Sequence, residues 1–214
     1  MKKLLTLLAL LLLAPPGFAA FEEGVQYQKI ATPQPTASDD KIEGLELFWY
    51  GCPHCYHLEP ELDAWLEKKP DDIEFVRVPA VLGPSWELLA RGYYTAELLG
   101  VLEKIHEPLF ERLHKQRKTI RDVSELKAFF EEQGVSGADF DKTYNSFAVV
   151  TRTNRAKEAH SRYGVTGVPT LVVDGKYRTS ASMAGSNEKM LEVVDFLIDK
   201  ERQSPDDAAP VAVH

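Results

Sequence analysis

EGLELFWYGCPHCYHL, residues 43–58, contains both cysteines of the chain and the change of periodicity that decides its fold. Glu43 to Tyr50 is short and mostly apolar, which reads as a buried strand. Gly51 ends it, and Cys52-Pro53 opens a helix expected to run to about Lys69, with proline at the first helical position, where no intrahelical N–H is needed. Pro60 is expected to kink that helix, because its ring meets the carbonyl four residues back. Ile73 to Val78 (IEFVRV) alternates as a second strand, and Val25 to Ile30 (VQYQKI) reads as an earlier edge strand.

Beyond Ser85 the pattern turns helical as far as Tyr163. Four or five helices are expected there, with starts at Asp122, paired with Glu125 in a capping-box pattern, and at Ser136. Thr170 to Val173 and Lys176 to Ala181 are two strands joined across Asp174-Gly175, a strong hairpin signal. Asn187 to Glu201 places Met190, Leu191, Val194, Leu197 and Ile198 on one helix face. The expectation is an α/β chain in which one βαβ–ββα sheet unit is split by an inserted helical subdomain. Its parts are 21–84 (first half of the sheet unit), 85–163 (inserted helices), 164–202 (second half) and 203–214 (a disordered Ala/Pro-rich tail).

Residues 1–20 stand apart. Lys2 and Lys3 precede an apolar run from Leu4 to Leu13, and Ala19 and Ala20 follow. That is the layout of a signal peptide cleaved after one of the two alanines. The run is too short and proline-broken for a comfortable membrane span. The formal charge is −8, or −10 once Lys2 and Lys3 leave with that segment. An acidic chain is a poor match for nucleic acid or anionic lipid, and the basic residues Arg152, Arg155, Lys157 and Arg162 read as the solvated face of a helix.

Two cysteines three residues apart close almost no loop, so a bridge between them stabilises little, and chemistry is the better reason for the pair. With Cys52 as helix N-cap, its sulfur faces unpaired N–H groups and the positive end of the helix dipole, which favour a thiolate. His54, in the first turn, can add positive charge. Cys55 continues the apolar stripe of Leu58, Leu62, Trp65 and Leu66, so it points inward while Cys52 stands at the exposed tip. Half of a zinc site, with His57, is the competing reading. Structural zinc takes four ligands and no second cysteine pair exists, so no metal is expected.

Cys52-Pro53-His54-Cys55 at the end of a βα unit, together with Gly167-Val168-Pro169 before the hairpin, resembles the DsbA family of periplasmic disulfide oxidants over essentially the whole mature chain. The resemblance implies a thioredoxin fold with an inserted helical subdomain. It makes Val168-Pro169 a cis-proline loop that pairs with substrate backbone, and the redox-active Cys52–Cys55 disulfide the only redox group, with no separate cofactor. The implied activity is oxidation of unfolded or newly exported cysteine-containing proteins in the periplasm, by a monomer that a DsbB-like membrane quinone reductase reoxidises. A disulfide isomerase or reductase, and a peptide-binding chaperone, are the alternatives.

Glu46 lies mid-strand where both faces look buried, so it must be paired, protonated or functional. It matches an acidic position beneath the family's active site, where it could pass protons to or from Cys55. A nearby lysine that satisfies it is an equal alternative. Glu59 fits a second such position, though a solvated helix glutamate is the simpler reading. Trp49 and Tyr50 read either as substrate surface or as core, Trp86, Tyr93 and Tyr94 as core of the helical block, and His106, His114 and His160 as surface or packing residues.

Overall fold

A computed structural model describes residues 21–38 and 40–203. The expected signal segment and residues 204–214 lie outside them. The sheet is mixed and five-stranded, in the order β1-β5-β4-β2-β3. Its strands are β1 (Gln28–Lys29), β2 (Ile42–Phe48), β3 (Ile73–Pro79), β4 (Thr170–Val173) and β5 (Tyr177–Thr179). Helix α1 (Pro53–Leu66) carries the chain from β2 to β3, which run parallel from Ile42 beside Ile73 to Phe48 beside Pro79. β4 returns antiparallel to β2, and β5 and β1 follow antiparallel at the far edge.

Five helices fill the gap between β3 and β4: α2 (Pro84–Leu98), α3 (Leu102–His114), α4 (Val123–Glu132), α5 (Gly137–Tyr144) and α6 (Phe147–Arg162). Asp122 and Ser136 cap α4 and α5 as expected, each accepting the backbone N–H three residues on. Ser146 caps α6 in the same way. The short α7 (Ala181–Ala184) and the long α8 (Asn187–Gln203) close the chain. Several ends moved. β1 keeps two residues of the expected six, α1 stops at Leu66, and β5 stops at Thr179, where the chain turns into α7. Gln203, expected to begin the tail, is the last residue of α8. Pro60 sits inside α1 without ending it, between the fully buried Leu58 and Leu62.

The sheet is covered on both faces. Leu58 and Leu62 of α1 pack with Met190, Val194 and Leu197 of α8 against Leu171 and Val173. On the other face Ala159 and Tyr163 meet Leu45, Leu47 and Val172. The helical block has its own apolar centre of Phe110, Phe129, Phe130 and Phe140, and Phe48 and Tyr50 join it to the end of β2. So the strand end that carries the cysteines is held between the sheet and the insertion.

The hairpin turns on Asp174 (φ 50°) and Gly175 (φ 61°), with the Lys176 N–H donating to the Val173 carbonyl at 3.0 Å. Left-handed values at both central residues are those of a type I′ turn. A Cβ on Gly175 would lie 2.1 Å from the Gln34 carbonyl oxygen. Gly175→Ala is therefore expected to destabilise by more than the ~1–2 kcal/mol of an L-residue in this region. A thermal melt unchanged from wild type would contradict this packing.

Candidate active site

Cys52 is the N-cap of α1, with extended backbone (φ −88°, ψ 117°), and Cys55 lies in the first turn. The two sulfurs are unbridged thiols here. Cys55 is fully buried, as expected. Cys52 is not at an exposed tip: it is only 8 % exposed. The reason is tertiary. The Gly167-Val168-Pro169 loop packs over it, and the Cys52 thiol donates to the Val168 carbonyl at 3.4 Å. The Val168–Pro169 peptide is cis, and the Thr170 hydroxyl holds the loop by donating to the Gly167 carbonyl at 2.8 Å.

The two thiols are displaced in opposite directions. Cys52 is lowered to about 6, first by the hydrogen bond from the Cys55 side chain, then by the backbone N–H groups of Cys55 and His54 and the charge of His54, with burial opposing. Cys55 is raised far above its ordinary range, first by burial, then by its bond to Cys52 and the negative charge of Glu46. The helix start contributes as its geometry requires. His54 is exposed, and its charge adds to the lowering of Cys52 after the partner thiol and the backbone N–H groups. Pro53 fills the N1 position.

Beneath Cys55 lies a buried polar chain that the sequence pointed to only at Glu46 and Glu59. Parallel register sets Arg77 of β3 directly beside Glu46 of β2, so both side chains emerge on the α1 face. Arg77 donates to Glu46 Oε2 and Glu59 Oε2, each at 3.2 Å, and to Asp63 Oδ1 at 3.3 Å. His106 of α3 joins Glu59 to the Tyr50 hydroxyl through bonds of 3.2 and 2.8 Å. His114 reaches the Tyr50 carbonyl at 2.7 Å and stacks on Tyr56. Glu46 is entirely buried, its Oε1 has no partner among the described residues, and its carboxyl is raised to about 8 by burial and by Glu59, against the pull of Arg77.

Two readings change: Glu59 is not a solvated helix glutamate, because α3 covers it, and the cation beside Glu46 is an arginine. His106 is packed inside, one of the two expectations for it, and there bridges Glu59 and Tyr50. A charged residue on the buried face of IEFVRV was the available signal for Arg77. His106 and His114 had none, since only the packing of α3 on α1 brings them in. Tyr50 is fully buried and so is core, whereas Trp49 is half-buried and stacks on Trp86 with centroids 4.1 Å apart. Tyr93 and Tyr94 are core, as expected. Among the described residues, no cluster of three or more His, Cys, Asp or Glu side chains is arranged to hold a metal ion. No helix among them is long and apolar enough to cross a membrane.

The DSBA-like thioredoxin domain matches residues 46–194. The chain is 46 % identical over 181 residues to the thiol:disulfide interchange protein DsbA of Pseudomonas syringae pv. tomato, covering 85 % of each. It is 43 % identical to the protein of the same name from Pseudomonas aeruginosa, covering 85 % of this chain and 86 % of that one. The crystal structure of Pseudomonas aeruginosa DsbA superposes with a TM-score of 0.83 at 42 % identity, over 87 % of this chain and 97 % of that one. DsbA from Xylella fastidiosa gives 0.80 at 35 % identity, over 86 % and 98 %.

Proposed function

The chain belongs to the DSBA-like thioredoxin family, and from that premise we propose that Cys52 and Cys55 form the disulfide it donates to exported proteins. It is a thiol:disulfide oxidoreductase, with Cys52 as the attacked sulfur and Cys55 as the sheltered one. The observation that carries the assignment is the placement of the two cysteines, Cys52 at the start of α1 against the cis Val168–Pro169 loop and Cys55 fully buried behind it, which displaces their thiols in opposite directions.

In the first step a substrate thiolate attacks Cys52 Sγ. The Cys52–Cys55 bond breaks, and Cys55 leaves and takes a proton, since its buried site disfavours the anion. Glu46, raised to about 8, holds a proton near neutral pH and is the donor assigned to this step, with burial and Glu59 raising it against the pull of Arg77. Next, a second substrate thiolate attacks the substrate sulfur of the mixed disulfide, and Cys52 departs as a stable thiolate. The substrate loses two electrons, and the protein gains them as one thiolate and one thiol. Val168 and Pro169 offer the backbone edge along which substrate lies. Reoxidation falls to a DsbB-like membrane quinone reductase, and residues 1–20 support a periplasmic site of action.

Equilibration with glutathione buffers across pH tests the reading, together with the ultraviolet absorbance of the thiolate. A depressed thiol stabilises the reduced state fully above the ordinary range near 9, and that stabilisation is lost as pH falls through about 6. The constant for reduction of the protein should thus rise roughly tenfold per pH unit from about 6 toward the glutathione range and be flat below. A thiolate signal appearing only near pH 9, with a strongly reducing potential, would sink the oxidant assignment.

A further inference from the structure

A groove of about 600 Å³ opens beside the reactive pair, from His54 at its mouth past Val168 and Pro169 to Arg178 on β5. Its lining includes Thr166, Ser180, Ser182 and Asn187 and contains no aspartate or glutamate. The other grooves described on this acidic protein are lined with carboxylates, such as Glu61, Asp195 and Asp199 beside α8, and Asp63, Glu103 and Glu107 beside α3. Arg77, Arg112, Arg152, Lys157, Lys176 and Arg202 all sit in ion pairs. Arg178, like Arg91 elsewhere on the surface, has no carboxylate partner among the described residues, and its hydrogen-bond partner is the neutral Gln28 Oε1, at 2.6 Å. Its guanidinium lies along the loop that carries Val168, 3.6 Å from where a Cβ on Gly164 would stand. A half-buried cation without a counter-ion, in a groove with low-dielectric walls, concentrates positive potential there.

We infer that this groove selects substrate segments bearing a carboxylate about three residues from the reacting cysteine, with Arg178 as the residue that meets it. The inference rests on the exchange reaction proposed above and adds a substrate class to it. The spacing follows from the register. Arg178 pairs with Val172, three residues along the chain from Pro169, or roughly 10 Å at the rise of an extended chain. At Val172 both edges of β4 are already paired, so the substrate segment leaves the edge and crosses the groove, where an extended chain covers that distance in about three residues. The neutral hydroxyl and amide groups of the walls can donate to a carboxylate without competing with Arg178 for it. The preference opposes the negative charge of the whole protein, so general attraction cannot imitate it.

The test oxidises dithiol peptides of one core sequence, with Glu, Gln or Lys three residues from the cysteine on either side, using the full-length disulfide form. The wild type should favour Glu over Lys by about fivefold in kcat/KM on one of the two sides. That ratio should shrink with added salt, approach one in Arg178→Gln and persist in Arg178→Lys. A wild-type ratio of one at low salt, or a ratio unchanged in Arg178→Gln, overturns the inference. The first of these needs no variant to fold. Dithiothreitol, which is uncharged, is run alongside: if it is oxidised while the peptides show no preference, the groove reading alone fails. If the wild type leaves dithiothreitol untouched, the exchange reaction and the groove reading fall together.

Discussion

Replacing Cys52 by serine is expected to abolish dithiol oxidation while leaving the fold intact. The exchanged oxygen is smaller and stays protonated at neutral pH, so neither a disulfide nor a leaving thiolate is possible at that position. Cys52 is a small buried member of the apolar cluster at the end of β2, and serine is close to it in shape, so the melting temperature should fall only modestly. Cys55→Ser should behave differently. The thiol at Cys52 survives, and the serine hydroxyl can still donate to it, so attack on an activated disulfide proceeds and stops at the mixed disulfide. A non-reducing gel or intact mass separates the outcomes: no adduct for Cys52→Ser, accumulated adduct for Cys55→Ser. Adduct formation by Cys52→Ser at the wild-type rate would reassign the attacked sulfur to Cys55.

The second large effect is expected at Glu46, where stability and turnover should move in opposite directions. Its carboxyl is held at about 8 inside the fold, against an ordinary 4.5. A raised carboxyl makes the folded state hold the proton across that window while the unfolded chain releases it, so folding weakens as pH rises from about 4.5 to 8. Glu46→Gln removes the titration, keeps the shape, and leaves Arg77 with Glu59 and Asp63 as partners. The variant should therefore gain stability on the order of a few kcal/mol at pH 8 and almost none at pH 4.5. If Glu46 delivers the proton that Cys55 takes, the same variant should slow mixed-disulfide formation near neutral pH. Denaturant melts at the two pH values measure the first effect, and stopped-flow reduction measures the second. Equal stability gains at both pH values would mean that Glu46 is ionised and compensated. Unaltered reduction kinetics would remove it from the proton path and leave it a structural charge.

The core of this fold was legible because it depends on local pattern. The apolar run at 43–50, the Cys-Pro helix start, the Asp174-Gly175 turn and the stripe from Met190 to Ile198 are each settled by residues close in sequence. Lengths were less legible. β5 gives way to α7 at Ser180, and β1 keeps only the two residues that find a partner on β5. The reactive pair is readable from its spacing, but the cover over Cys52 is not, because the loop that supplies it comes from 116 residues downstream.

The sequence alone determined which atoms can react: two sulfurs at a helix start, with one continuing an apolar stripe. That followed from covalent neighbourhood and helical period, which act over a few residues. The tertiary structure decided how far each thiol is displaced. Burial of Cys55 and Glu46, the Arg77 partner set by strand register, and the reach of His106 from α3 all join residues distant along the chain. Desolvation and charge act through space, and only the packed fold assigns those distances.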